Sequence, residues 1–355
     1  MRLRFYSLIV LAAFAPAPAP ADVLVASFFS DNIIRLDANG QHVATLSGGP
    51  AFGGPLCARV GPDGLLYVAA EGADAIYRYD LSTNTYVDTF ISSGSGGLDS
   101  PTGLCWGPDG RLYVGSFTNS NVLRYDGASG AFVDTFVTTG LGGLSGADNG
   151  MTFGPDGNLW VPSYNNNRVI RYHGTTGASL GLIGGSIGRP RVLVFRNNSL
   201  YLTSESANSV RRYSLEGAFL GTFIASGSGG LGVPVGLAFD EAANVAYVGS
   251  SVNDRVLRYN ATTGAFIDVF AAAPGLPIDG PVFVTVVPEP GAGVSAVTAV
   301  VFWRRRRRGR APRERAGARQ GLAVRAAWRS LVVPRITPNT RLSSPAPSRY
   351  RRILG

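Results

Sequence analysis

Between residues 22 and 287 apolar and polar positions alternate in short runs, and the runs recur. The pair Arg35-Leu36 has counterparts at Arg78-Tyr79, Arg124-Tyr125, Arg171-Tyr172, Arg212-Tyr213 and Arg258-Tyr259, at intervals of 43, 46, 47, 41 and 46 residues. Upstream of each pair lies an apolar triplet: VLV (23–25), LYV (66–68), LYV (112–114), LWV (159–161), LYL (200–202) and AYV (246–248). Each unit reads as four short strands, A to D, typified by TGLCW, RLYVGS, NVLRY and FVDTFV. Gly, Asp and Asn cluster in the links, where tight turns demand positive φ. The period stays near two, and no segment of this region sustains an amphipathic helix.

Four antiparallel strands per 40–50 residues predict a β-propeller blade, which cannot bury both faces alone and must stack around an axis. The first unit begins at strand B (DVLVASFF), and the last strand D is followed by GPVFVTVV (280–287), which matches strand A. The chain is therefore expected to be all-β, a six-bladed propeller of four-stranded blades over 22–287. Its C-terminal strand should pair with the N-terminal blade and close the ring, since a strand left over would expose an apolar edge.

Units such as GPDGNLWVPSYNNNRVIRY (154–172) resemble those of NHL-repeat propellers and the related gluconolactonase group, across nearly all of 22–287. The resemblance implies the fold strongly and an activity weakly, because this fold carries lactonases, lyases and pure binding platforms. In the lactonases it implies a divalent metal at the channel mouth, held by a Glu, Asn residues and an Asp. Ca²⁺ suits such oxygen donors. None of the strands A here carries the family's Glu; Glu71 and Glu205, in B–C loops, are the nearest substitutes.

The formal net charge is +9 over 355 residues, and it is unevenly placed. From Arg304 onward there are sixteen arginines and one glutamate, whereas the preceding 303 residues carry a net charge of −6. A mildly acidic propeller argues against nucleic-acid binding, which needs cations gathered on the folded surface. Only Cys57 and Cys105 occur, so there is no disulfide framework and no metal-ligand spacing. They fall on strands A of neighbouring blades but two residues out of register, and an exported setting permits them to pair.

The two ends lead to the expectation of export. Residues 1–21 combine Arg2 and Arg4, an apolar run and a proline-punctuated Ala-Pro-Ala segment, which is the pattern of a secretory signal peptide for signal peptidase. After the propeller come Val287, Pro288, Glu289 and Pro290, an apolar run at 291–303, and Arg304, Arg305 and Arg306 at the head of five arginines. Together, over 287–308, they are similar to the PEP-CTERM sorting signal. The resemblance implies transient anchoring in the inner membrane of a Gram-negative-type bacterium, processing by an exosortase and release to the cell surface or extracellular matrix. The arginines would stay cytoplasmic. Thirteen helical residues span about 20 Å against a hydrocarbon core of about 30 Å, so this anchor is short. Residues 309–355 lack periodicity and are rich in Arg, Ala and Pro, which predicts a disordered tail.

Chemistry in a propeller gathers where the D–A and B–C connections meet the central channel. Here those loops are rich in amides and hydroxyls, including SYNNNR (163–168) with Asn166, which suits a polar saccharide or a protein loop. Asn and Ser are also ordinary turn formers. Asp148-Asn149 breaks the SPTG/VPVG pattern at the entrance to strand A and is the sharpest candidate. Arg189 and Arg191 flank Pro190 and can grip an anion bidentately, or pair with neighbouring rim acids. His42 and His173, the only histidines, lie toward the opposite face, so Ser or Cys nucleophiles lack their usual base. The repeated GPDG is a Pro-led turn. The repeated strand-C arginine reads as a tie between blades, paired with carboxylates such as Asp88, Asp134 and Asp268. The leading expectation is a non-catalytic binding protein for protein or polysaccharide. The alternatives are a metal-dependent lactonase or esterase and a purely structural matrix component.

Overall fold

The computed structural model of the chain describes residues 21–287. The expected signal peptide up to residue 20, the motif Pro288-Glu289-Pro290, the apolar run 291–303, the five arginines and the tail 309–355 lie outside the described residues. Strands β1 (Asp22–Ser27), β2 (Asn32–Leu36) and β3 (His42–Thr45) begin the first sheet. The second sheet is β4 (Pro55–Val60), β5 (Leu66–Ala70), β6 (Ala75–Asp80) and β7 (Thr85–Ile91). The third is β8 (Pro101–Trp106), β9 (Leu112–Ser116), β10 (Asn121–Tyr125) and β11 (Phe132–Val137). In the fourth, β12 (Thr152–Phe153) is followed by β13 (Leu159–Ser163), β14 (Arg168–Tyr172) and β15 (Ser179–Ile183). The fifth runs β16 (Pro190–Arg196), β17 (Ser199–Ser204), β18 (Ser209–Ser214) and β19 (Phe219–Ile224). The sixth runs β20 (Pro234–Asp240), β21 (Val245–Ser250), β22 (Arg255–Asn260) and β23 (Phe266–Ala272).

The last strand, β24 (Pro281–Val287), returns to the first sheet, whose order is β24-β1-β2-β3. Its register sets Val287 opposite Asp22, Val284 opposite Val25 and Phe283 opposite Ala26. The six sheets are the blades of a six-bladed propeller, closed as the sequence predicts. Among the described residues no helix is long and apolar enough to cross a membrane.

Two repeated contacts join blade to blade. The central residue of the strand-B triplet packs edge-on against the aromatic that ends strand A of the next blade. Ring centroids lie 4.8 Å apart for Tyr67–Trp106, 4.9 Å for Tyr113–Phe153, 5.1 Å for Trp160–Phe195 and 5.3 Å for Tyr201–Phe239. Such pairs add about 0.5–1.5 kcal/mol each beyond area burial.

The second contact is a ring of six side-chain latches. The residue that ends each B–C loop accepts the backbone N–H of the residue that precedes strand A of the next blade. Asp31 takes Gly54 (2.9 Å), Asp74 takes Ser100 (2.7 Å) and Ser120 takes Gly146 (3.0 Å). Asn167 takes Arg189 (2.8 Å), Asn208 takes Val233 (2.6 Å) and Asp254 takes Gly280 (2.8 Å). Every latch residue has a φ between 50° and 61°. Asp and Asn enter this left-handed region at least cost, which explains five of the six choices.

The strand-C arginines correct one expectation. Arg78, Arg124 and Arg258 do fork onto Asp88, Asp134 and Asp268, but within their own blades. Each pair is directly opposite in the C–D register, so both side chains share a sheet face and the nearest carboxylate is internal. Arg258 also reaches across to the neighbouring blade, where it donates to Ala38 O (3.3 Å). The turn acids are used locally too: Asp63 caps Leu65 N and accepts from Tyr67 Oη.

Cys57 and Cys105 are buried free thiols, so the disulfide considered from the sequence is absent. Cys57 pairs with Ala69 and Cys105 with Tyr113, positions two residues apart in equivalent strands. That offset alone is about 6–7 Å along the strand, at the limit of disulfide reach before the gap between blades is added. Burial pushes the Cys105 thiol up to about 12.

If the latches set blade spacing, Asp74→Ala should lower unfolding stability by about 1–3 kcal/mol, because Ser100 N–H loses its acceptor. Asp74→Asn should stay close to the parent. Equilibrium urea unfolding checks both, and an unchanged alanine variant refutes the assignment.

Candidate functional site

Counted from the latched residue to the apolar residue at or one before the end of strand A, the blades have one fixed spacing with one exception. Six residues separate Gly54 from Val60, Ser100 from Trp106, Arg189 from Phe195, Val233 from Phe239 and Gly280 from Val286. Gly146 and Phe153 are seven apart. Five blades open with proline at the first position (Pro55, Pro101, Pro190, Pro234, Pro281); in the fourth, Ala147 takes that place and bridges Ser163. The extra residue cannot stay in the ladder, so strand A of blade 4 shrinks to β12 and residues 148–151 bulge toward the axis. Bulges re-aim side chains in this way.

The bulge places Asp148 and Asn149 in the interior, both fully buried. Asn149 Nδ2 reaches across the axis to Val282 O of blade 1 (3.3 Å) and Leu56 O of blade 2 (3.4 Å). Its Oδ1 has no hydrogen-bond partner among the described residues. Gly150 lies beside Val192 of blade 5, and a Cβ at Gly150 would fall 2.2 Å from Val192 Cα. Only glycine permits that approach.

Asp148 meets blade 5. Its Oδ2 accepts from Arg191 Nη1 at 2.7 Å, and Arg191 Nε lies 2.9 Å from Glu205 Oε2. Glu205 Oε1 accepts from Arg189 Nη1 (3.0 Å) and from Tyr164 Oη (2.9 Å). The Tyr164 ring lies under both guanidinium groups, 4.5 Å from Arg191 and 5.3 Å from Arg189. The result is a neutral cluster of two carboxylates, two guanidinium groups and a phenol. Burial pushes the Asp148 carboxyl above its usual range, and the adjacent Arg191 opposes that shift. Burial likewise pushes the Tyr164 phenol up, so it remains a donor.

The predicted residues thus separate. Asp148, Arg189, Arg191 and Glu205 come together, with Asn149 next to them at the axis. Asn166 stands apart as a clamp, its Nδ2 donating to Gly143 O. Asn119 and Asn253 make the matching bonds to Gly97 O (2.8 Å) and Gly230 O (2.7 Å), so these rim amides hold the D–A loops. Tyr164 was not singled out from the sequence. Its position is legible only after the blades are aligned: Phe28, Glu71, Phe117, Tyr164, Glu205 and Ser251 each follow strand B and donate N–H to the latched residue's carbonyl. Thr102 and Thr203, also missed, tie neighbouring strands A through Ala147 O (2.6 Å) and Val235 O (2.8 Å). His42 and His173 are exposed, bonded to Thr45 and to the Thr175 and Thr176 amides.

The donor set does not fit Ca²⁺. Both carboxylates already flank the Arg191 guanidinium, which occupies the cation's electrostatic role between them. The unpartnered axial oxygen of Asn149 is one donor where about six to eight are needed. Among the described residues no group of three or more His, Cys, Asp or Glu could hold a metal.

Removing Arg191 should expose the cost of the buried acids. Arg191→Met is expected to lose about 3–5 kcal/mol at pH 7. A buried carboxyl whose folded pKa exceeds the unfolded value contributes stability that is complete below the unfolded pKa and lost as pH rises through the folded one. With the opposing guanidinium gone, the Asp148 deficit should therefore grow from about pH 4 to pH 7. Urea unfolding across that range measures it, and a pH-independent deficit contradicts the cluster's electrostatics.

No family model matches the chain, and no curated protein does. Among solved structures 1155 chains match, in keeping with a fold used for many purposes. One is the crystal structure of a protein of unknown function from Bacteroides caccae, with a TM-score of 0.60 and 12% identity. The match covers 76% of this chain and 100% of that one. At that identity the likeness shows the fold alone.

Proposed function

We propose that the chain is an exported, non-catalytic six-bladed propeller that binds protein or polysaccharide at its channel mouth on the cell envelope or in the extracellular matrix. The observation that carries the non-catalytic reading is the use of Asp148 and Glu205. Both acids are spent on Arg191, within the fold, and neither stands free to act as a base or to hold a metal. The histidines are exposed, His42 at the start of β3 and His173 in a turn, and their ring nitrogens meet only Thr45 Oγ1 and the Thr175 and Thr176 amides. What the mouth offers instead is a contact surface. Phe29 and Phe117 are half-buried in B–C loops, Phe117 lies 6.0 Å from the Tyr164 ring, and Arg189, over that same ring, keeps 41% of its side chain exposed. Aromatic faces with a few fixed polar groups are the usual means of holding a sugar ring or a peptide loop.

The NHL and gluconolactonase resemblance supports the fold-level part of this reading. The PEP-CTERM-like segment that begins at Val287 supports delivery by exosortase. Val287 is the last residue of the ring-closing strand, so the sorting motif follows the completed domain directly.

Purified protein should show no thermal shift with Ca²⁺ or Zn²⁺ and no turnover of simple lactones. A bound ion at a hundredfold excess over Kd would raise stability by about 2.7 kcal/mol. Divalent-dependent lactone hydrolysis overturns the non-catalytic reading. Glycan-array binding that weakens in Phe117→Ala supports the mouth as the binding surface; a glycan and protein screen with no hits favours a purely structural component.

Export has its own test. In a host that carries an exosortase, the wild type should lose its C-terminal segment, while Glu289→Ala should retain it and stay in the membrane fraction. Identical processing of the two removes the sorting proposal.

A further inference from the structure

The strand-C arginine meets a strand-D residue at one fixed register, and that residue decides whether its charge is answered. In blades 2, 3 and 6 it is Asp88, Asp134 or Asp268, and the fork is complete. Nε donates at 2.8, 3.0 and 2.7 Å and Nη2 at 2.5, 2.5 and 2.6 Å, respectively. In blade 1 Arg35 lies opposite Ala44 but takes Asp22 instead, at 2.5 Å. Blades 4 and 5 differ. Arg171 is opposite Gly181 and Arg212 is opposite Gly221. A Cβ at either glycine would meet no heavy atom within 4 Å, so the carboxylate's place is open to solvent.

Neither arginine is compensated elsewhere to the same extent. Arg171 has the turn residue Asp156 at 3.6 Å, and its buried Nε has no hydrogen-bond partner among the described residues. Arg212 donates Nε to Ser199 Oγ (3.0 Å) and has no carboxylate within ion-pair distance among the described residues. Its turn reads RNNS, without the aspartate that blades 2 to 4 carry. Residues 184–224 hold five arginines and two acids, in a chain whose first 303 residues are net negative.

These two seats lie on adjacent outermost strands, β15 and β19, each with an edge unpaired among the described residues. Leu182 is paired one position from Gly181 and so lies on the opposite face, and Leu180, the bulged residue on the other side of Gly181, is exposed as well. In β19 Phe219 pairs with Tyr213, on the face opposite Gly221, and the bulged Leu220 between them is exposed too. One face of each edge thus asks for carboxylate and the other for apolar contact. An extended peptide added to such an edge presents its own side chains to both faces in alternation.

We propose that the outer edges of blades 4 and 5 dock an extended protein segment of alternating acidic and apolar residues, whose carboxylates fill the seats that Asp88, Asp134 and Asp268 fill in the other blades. A uronate-bearing polysaccharide would answer the charge but has neither a backbone ladder nor two alternating faces. The surface is separate from the channel mouth, so this assignment and the mouth reading can fail independently.

The test uses the full chain, a labelled peptide of alternating Asp and Val, its Asn–Val counterpart and polygalacturonate. Fluorescence anisotropy should show saturable binding of the Asp–Val peptide, none of the Asn–Val peptide, and a loss with added salt. The Arg171→Gln/Arg212→Gln double variant should bind about tenfold more weakly. An Asp–Val peptide N-methylated on the amides that face the edge should not bind the unaltered protein, a result independent of how well the variant folds. Equal binding of the Asn–Val or N-methylated peptide, or no binding at all, overturns the proposal. Polygalacturonate binding in place of the peptide overturns it in favour of a glycan surface.

Discussion

A single hydrogen bond, made six times, holds the blades at a common spacing. The tip of each B–C loop turns through the left-handed region and presents an oxygen to the first backbone N–H of the next blade. The latched residue's carbonyl in turn accepts from its own blade's B–C loop, as Gly54 O does from Glu71 N (3.1 Å). Both polar groups of that residue are therefore spent where the chain passes from one sheet to the next. Because a buried orphan amide costs more than a typical hydrogen bond returns, the latch acts as a constraint more than as a source of energy. A blade rotated out of place would leave the amide unpaired. The aromatic contacts from strand B to the next strand A are less directional and fill the space that the latches define.

Given that spacing, the extra residue in blade 4 has few places to go. The latch before it, Ser120 to Gly146, and the turn after it are both kept, so the surplus is pushed toward the axis. Asp148 arrives in the buried interior, and blade 5 answers it with Arg191 where the other blades carry Leu56, Thr102, Val235 or Val282. One buried charge requires the next, and Glu205, Tyr164 and Arg189 complete the series. Such a cluster adds little net stability over a well-packed apolar equivalent. Its consequence is asymmetry: blades 4 and 5 are marked off from a ring that is otherwise close to sixfold.

The sequence carried the architecture because repetition averages out local ambiguity. No single LYV or RY pair specifies a blade, yet six of them at a common period do, and the missing first strand A identifies its own replacement at 281–287. Contacts between units were harder to read. The Asp partners of Arg78, Arg124 and Arg258 were identifiable, but the level of the contact was not, since a C–D pair and a pair between blades look alike without the register. For Cys57 and Cys105 the two-residue offset is visible in the aligned repeats, and it decides against a bond. Asp148-Asn149 stood out as a broken pattern, whereas for Arg191 pairing with a rim acid was the stronger reading over a bound anion, but the sequence did not say which acid. Burial distinguishes these, and burial at the axis depends on a one-residue insertion that no propensity scale registers.

The departures from the repeat share a logic. Where Asp faces the strand-C arginine, the blade is complete in itself; where Gly faces it, the same arginine is left with unused donors at an edge. Where Ala147 replaces the proline that opens strand A, a charge enters the inner ring at Asp148, and the neighbouring blade 5 answers it with Arg191. Both kinds of departure fall on blades 4 and 5, one at the axis and one at the periphery. Positions that break an otherwise consistent pattern are where function is expected to reside, because the repeat alone already satisfies the fold. On that argument blades 4 and 5 hold the departures that the fold itself does not require, at the axis in one case and at the outer edge in the other.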